Sequence, residues 1–129
     1  MEYRVDKAAR YAKTHEWVRV EGGEAVIGVS DYAQHTLSDV VFVDLPPVGK
    51  EIRSGAACMT IESVKAAEDV FAPVSGTVVA RNPALEKQPE LVNSDPFGEG
   101  WLIRVKLANP AEVESLMSAD AYAALVATL

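Results

Sequence analysis

The sequence is poor in the residues that build metal centres and covalent staples: one cysteine and two histidines among 129 residues. A lone Cys58 closes no internal disulfide, which excludes a small disulfide-stapled scaffold. It lies in an apolar run, where a free cysteine normally acts as a small buried hydrophobe. His15-Glu16 opens like the zinc-protease pattern H-E-x-x-H, but the fifth position is Arg19. A metal site needs several nitrogen, sulfur or carboxylate ligands converging, so no metal is expected. Basic residues are also scarce, 12 Lys and Arg against 19 Asp and Glu, for a formal net charge of −7. Nucleic acid and anionic membrane both require a basic footprint, so neither is an expected partner. No apolar run approaches the roughly 18–20 residues of a membrane-spanning helix. The N-terminal "MEYRVDKAARYAK" has no apolar core of a secretion signal. A cytoplasmic location is the simplest expectation, although a mature mitochondrial chain would look much the same. Nucleophile motifs are missing too: there is no G-x-S-x-G elbow, and "GEGW" at 98–101 lacks the third glycine of a dinucleotide fingerprint.

What is there reads as many short strands followed by a helical tail. With 49 % apolar residues, the chain suits one domain over residues 1–129 around one core. "WVRVEGGEAVIGV" (17–29) is a hairpin signal, its two glycines supplying the positive φ of a tight turn. Ser30 suits the N-cap of a short helix through Leu37. "VVFVDL" (40–45) is a strand stopped by Pro46 and Pro47. Residues 57–62 and 67–72 both favour strand, with 63–66 as the connection, and 77–82 is another strand. Pro83 to Gly100 reads as loop with one helical turn, and Trp101 to Leu107 closes the β region. If the strand-rich halves before 63 and after 66 pack as a sandwich, the 63–66 connection projects from one end. Asn109 then suits an N-cap, Pro110 the first helical position and Glu112 a capping-box carboxylate, with Val113, Leu116 and Met117 on one face. Ser118 caps a second short helix. The β core is expected over about 15–107 and the helical tail over about 109–128.

One lysine, Lys65, sits inside the β-prone run "CMTIESVKAAEDVFAPVSG" (58–76). A Schiff-base lysine needs burial to lower its pKa, whereas a lysine at a hairpin tip stays exposed and charged. Two readings remain open on these residues alone. The lysine relieves an aggregation-prone strand edge, or it is displayed for an external enzyme to acylate.

"HEWV", "IGVSDYAQ", "VVFVDLP", "ESVKAAEDV", "PVSGTVV" and "ELVNSDPFGEGWLI" occur in that order. Together with the acidic tail they resemble the H proteins of the glycine cleavage system, over roughly residues 11–122. The resemblance implies a mainly β, lipoyl-domain-like (hammerhead) sandwich with a short C-terminal helical tail. It implies (R)-lipoate joined by an amide bond to Lys65, whose hairpin Glu62, Ser63, Val64 and Ala66 would be read by lipoate-attaching enzymes. It also implies a carrier without catalysis of its own. In that role the arm takes an aminomethyl group from glycine at a pyridoxal-phosphate glycine decarboxylase. It delivers the one-carbon unit to a tetrahydrofolate-dependent aminomethyltransferase and is reoxidised by dihydrolipoamide dehydrogenase, which uses FAD and NAD. By position, Thr14, Glu16 and Asp69 would line a cleft sheltering the loaded arm, with Glu16 holding the amine nitrogen. An acidic surface would steer such a carrier to basic docking faces.

The sequence departs from the family pattern at Ser38, where a glycine is usual, and at "CMT" (58–60). Biotin carriers place their lysine between methionines, and 2-oxo acid dehydrogenase lipoyl modules commonly read D-K-A; Val64 and Ala66 flank Lys65 here. A lipoyl relay that passes lipoate to other acceptors is the alternative function.

Overall fold

The computed structural model describes residues 2–129, which form nine strands and four short α-helices. The strands are β1 (Arg10–Tyr11), β2 (Glu16–Glu21), β3 (Glu24–Val29), β4 (Val40–Asp44), β5 (Glu51–Ile52), β6 (Ala57–Ser63), β7 (Ala67–Phe71), β8 (Gly76–Arg81) and β9 (Ile103–Leu107). The helices are α1 (Asp31–Leu37), α2 (Leu91–Ser94), α3 (Ala111–Glu114) and α4 (Ala119–Val126). One antiparallel sheet runs β1-β2-β3-β9-β8-β5 and the other β4-β6-β7. Both sheets draw strands from either side of residues 63–66. The sheets therefore do not divide at the lysine hairpin, as a two-half sandwich would require.

Alternation along β2 and β3 decides what each face of the larger sheet covers. Val18, Ala25, Ile27 and Val29 face the main core with Ile61, Val70, Val78 and Val105. Trp17 and Val26 face the other way, into a second cluster with Ala9, Tyr11, Tyr122 and Val126. The N-terminal segment and α4 thus cover a sheet face that would otherwise be wet, which gives the helical tail a structural reason to exist.

Local chemistry explains most element ends. Gly22 alone takes positive φ (69°) in the β2–β3 turn, the type II′ pattern; Gly23 does not share it. Ser30 caps α1, its hydroxyl accepting from the Ala33 amide at 3.2 Å. Ser118 caps α4 in the same way through the Ala121 amide. Residues 83–100 hold two short turns, a 3₁₀ turn at Pro83–Glu86 and α2, where one was expected. Asn109 Oδ1 accepts from the Ala111 amide, but the helical N-cap is Pro110. Glu112 makes no capping box: its carboxylate accepts from the Ser75 amide at 2.8 Å and the Ser75 hydroxyl at 3.0 Å. A distant partner there outcompetes the local one, tying α3 to the start of β8. The β pairing also begins at Arg10, earlier than expected.

Ser38, which follows α1, has φ 66° and ψ −159°. That backbone region is nearly exclusive to glycine and costs a side-chain-bearing residue about 1–3 kcal/mol. The surrounding bonds hold it there: the Ser38 carbonyl accepts from Asn93 Nδ2 at 2.8 Å, and Asn93 Oδ1 accepts from the Val40 amide at 2.9 Å.

Candidate functional site: a cleft beneath the lysine hairpin

Strands β6 and β7 meet in a tight hairpin whose tip is Val64–Ala66. The Ser63 amide donates to the Ala66 carbonyl at 2.8 Å. Ser63 Oγ accepts from the amides of Lys65 and Ala66, each at 3.2 Å. The serine therefore does the work a glycine turn does elsewhere, by satisfying the backbone of the bend with its side chain. The Val64 amide donates to the Asp39 carbonyl at 3.0 Å, which pins the tip to the α1–β4 connection. Lys65 is exposed, and its Nζ donates to the Thr36 carbonyl at 2.9 Å near the end of α1. An amine with one weak surface contact is accessible to an acylating enzyme.

Beside the hairpin lies a cleft of about 340 Å³. Its apolar wall includes Val29, Ala33, Leu37, Ile61 and Val70. Its polar lining brings together Thr14, Glu16, Ser63, Lys65 and Asp69, with Ala66 at the hairpin end. Of the residues singled out in the sequence, Glu62 and Val64 do not line it; both are exposed on the hairpin itself. Sequence reading missed His15, Thr36 and the α1 residues. His15 has one signal in the sequence, its place beside Glu16, but the pair matches only the opening of a metal motif.

Glu16 is the unusual group. Only 3 % of it is exposed, as it opens β2 beside the buried Trp17 and Val18. Oε1 accepts from Thr14 Oγ1, and Oε2 accepts from the Phe71 amide at 3.2 Å. Burial pushes its pKa up to about 7, opposed by those two hydrogen bonds. Asp69 and Thr14, by contrast, are exposed. Cys58 is half-buried against the core, and its thiol is pushed up to about 11 by burial and then by the charge of Glu16. A thiol so raised stays protonated and unreactive at neutral pH.

The sign of the Glu16 effect on stability follows from proton binding. Between its ordinary value of 4.5 and about 7 the folded state holds more protons than the unfolded one. Stability from this group is therefore fully present below 4.5 and is lost as pH rises through 7. Glu16→Gln keeps an acceptor for the Phe71 amide and can donate to Thr14 Oγ1, without a charge. We predict that this variant lacks the decline between pH 4.5 and 7 and exceeds the wild type above pH 7 by about 3 kcal/mol. Urea unfolding at several pH values reads this out, and parallel profiles for the two proteins would contradict it.

Residues 9–129 match the family model described as "Glycine cleavage H-protein". A glycine cleavage system H protein of Aeromonas salmonicida (strain A449) is 56% identical over 118 residues, covering 91% of this chain and 92% of that protein. One from Xanthobacter autotrophicus (strain ATCC BAA-1158 / Py2) is 52% identical over 122 residues, covering 95% and 98%. The crystal structure of a glycine cleavage system H protein from Mycobacterium marinum superposes with a TM-score of 0.87 at 33% identity, covering 95% of this chain and 99% of that one. The chain belongs to the glycine cleavage H-protein family, the lipoyl carriers of the glycine cleavage system.

Proposed function

We propose that Lys65 carries the lipoyl group and that the cleft shelters its loaded arm. The observation that carries this reading is the juxtaposition of an exposed lysine, on a hairpin tip, with a cleft containing a buried carboxylate. The lining suits such an arm: Leu37, Ile61 and Val70 offer apolar surface to a hydrocarbon chain, and Glu16 offers an amine the buried carboxylate of the cleft. Lipoate, when attached, supplies a dithiol–disulfide pair that holds a one-carbon amine group and can be reoxidised.

The chain's own residues do the rest. Ser63 holds the bend that presents Lys65. Acylation removes the ammonium charge, and with it the charge that the Thr36 carbonyl accepts from. Glu16, poised by burial, is drawn fully into its ionised form by an amine that arrives as an ammonium, and the pair is strong because water is excluded. Thr14 and the Phe71 amide fix the orientation of that carboxylate. No step of bond making falls to the protein, so we assign it a non-catalytic carrier role acting as one unit over the whole chain. The partners supported by this chemistry are a pyridoxal-phosphate glycine decarboxylase, a tetrahydrofolate aminomethyltransferase, an FAD- and NAD-using dihydrolipoamide dehydrogenase and a lipoate-attaching enzyme that reads the hairpin from Glu62 to Ala66. The relatives compared above are bacterial, and a cytoplasmic location is part of the same reading.

The cleft assignment is tested on the loaded protein. Glu16→Ala is expected to speed loss of the aminomethyl group by about tenfold, the worth of one charge-assisted hydrogen bond. An unchanged rate of loss rules out the shelter.

A further inference from the structure

His15 takes a backbone conformation that favours glycine. It is the last residue of the connection between β1 and β2 (12–15), where three residues are enclosed by the Ala12–Glu16 pair: the Ala12 amide donates to the Glu16 carbonyl at 2.9 Å and the His15 amide to the Ala12 carbonyl at 3.0 Å. Such loops end in a left-handed residue, and His15 has φ 78°. A branched or ring-bearing side chain raises the cost of that conformation by about 1–2 kcal/mol over glycine. The strain sits between Thr14 and Glu16, the two residues that build the carboxylate site.

The imidazole is held from behind by the C-terminal helix. His15 Nδ1 lies 2.7 Å from the Tyr122 hydroxyl, and Ser30 Oγ lies 2.7 Å from the same hydroxyl. The Ser30 amide donates to the His15 carbonyl at 2.9 Å, and Ser30 Oγ accepts from the Ala33 amide as the cap of α1. Burial keeps His15 below its ordinary value and pushes Tyr122 up to about 12, so the ring stays neutral and the phenol keeps its proton. The Tyr122 hydroxyl bonds to both groups at once, Ser30 Oγ on one side and His15 Nδ1 on the other. One hydroxyl on α4 thus joins the loop that leads into Glu16 to α1, the helix that supplies Ala33 and Leu37 to the apolar wall. Tyr122 is fixed in turn by a stacked Tyr11 ring, centroids 4.3 Å apart and planes 5° from parallel.

We propose that Tyr122 is a positioning residue for the cleft: through His15 and Ser30 its hydroxyl sets the Glu16 loop against α1. This rests on the cleft being the arm's shelter, but its first test does not. Tyr122→Phe keeps the stacked ring and deletes only the hydroxyl, so the fold survives. Carboxyl-carbon NMR of the unlipoylated protein then follows the Glu16 titration. With the side-chain link gone and only the Ser30 amide bond to the His15 carbonyl left, the loop loosens, water reaches the carboxylate, and its midpoint should fall by about one unit or more toward 4.5. In a His15→Gly background, Tyr122→Phe should add nothing further, because the hydroxyl acts through the imidazole. An unmoved Glu16 midpoint in Tyr122→Phe overturns the proposal, and so does a full additive shift in the double variant. On the loaded protein, Tyr122→Phe should speed aminomethyl loss by about fivefold, the worth of one hydrogen bond. If Glu16→Ala leaves that loss unchanged, the shelter reading fails while the titration still decides the role of Tyr122.

Discussion

Lys65→Arg is expected to reduce glycine-dependent exchange of bicarbonate with the decarboxylase to background, a fall of about a hundredfold or more, while leaving the protein folded. The substitution keeps a cation that can still donate to the Thr36 carbonyl. It removes the one property an acylating enzyme needs, an amine that can lose a proton and attack, because a guanidinium is effectively always protonated. Without a tether, any free lipoamide must reach each active site by diffusion. The lost effective concentration is what sets the hundredfold scale. Stability should change by no more than about 0.5 kcal/mol, since Lys65 is exposed and makes a single side-chain hydrogen bond. Exchange assays beside a melting curve check both halves, and a folded variant that retained exchange would refute the carrier mechanism.

The second large effect is on folding and comes from Gly28. It faces Trp17 across the β2–β3 ladder, and a Cβ added there would lie 2.5 Å from Cζ2 of the indole. The ring cannot easily move away. Trp17 is fully buried, its Nε1 donates to the carbonyls of Val29 and Pro96 at 3.1 Å each, and the Arg19 guanidinium lies 4.8 Å from the ring centre. Gly28→Ala should therefore cost about 3 kcal/mol, the upper end for overpacking, and lower the melting temperature by about 10 °C. Trp17→Phe, destabilising alone, should relieve part of that cost, because the smaller ring leaves room for the methyl group. A Gly28→Ala protein that melts with the wild type would show that the indole can be displaced.

Much of this was legible in the residues. The hairpin at 17–29, the Ser30 and Ser118 caps and the strands around Lys65 follow from β-branched runs and short hydroxyl side chains, whose effects are local. The strain at Ser38 was legible as a departure from the family pattern, and it is present. What did not emerge has a common physical cause, namely partners distant in sequence. Glu112 looked like a capping-box residue and instead bonds to Ser75. Glu16 is placed in the cleft only by the family resemblance; its burial and its bond to the Phe71 amide, 55 positions away, have no local sign. His15 seemed to matter only as a failed metal motif, because nothing local announces that a tyrosine 107 positions later will bond to its ring.

No helix among the described residues is long and apolar enough to cross a bilayer. The central claim concerns a covalent bond, and mass reads it directly. Protein isolated from its native host, weighed intact and then digested, should carry one lipoyl group on the peptide containing Lys65. An unmodified mass, or an acyl group on any other residue, would contradict the account.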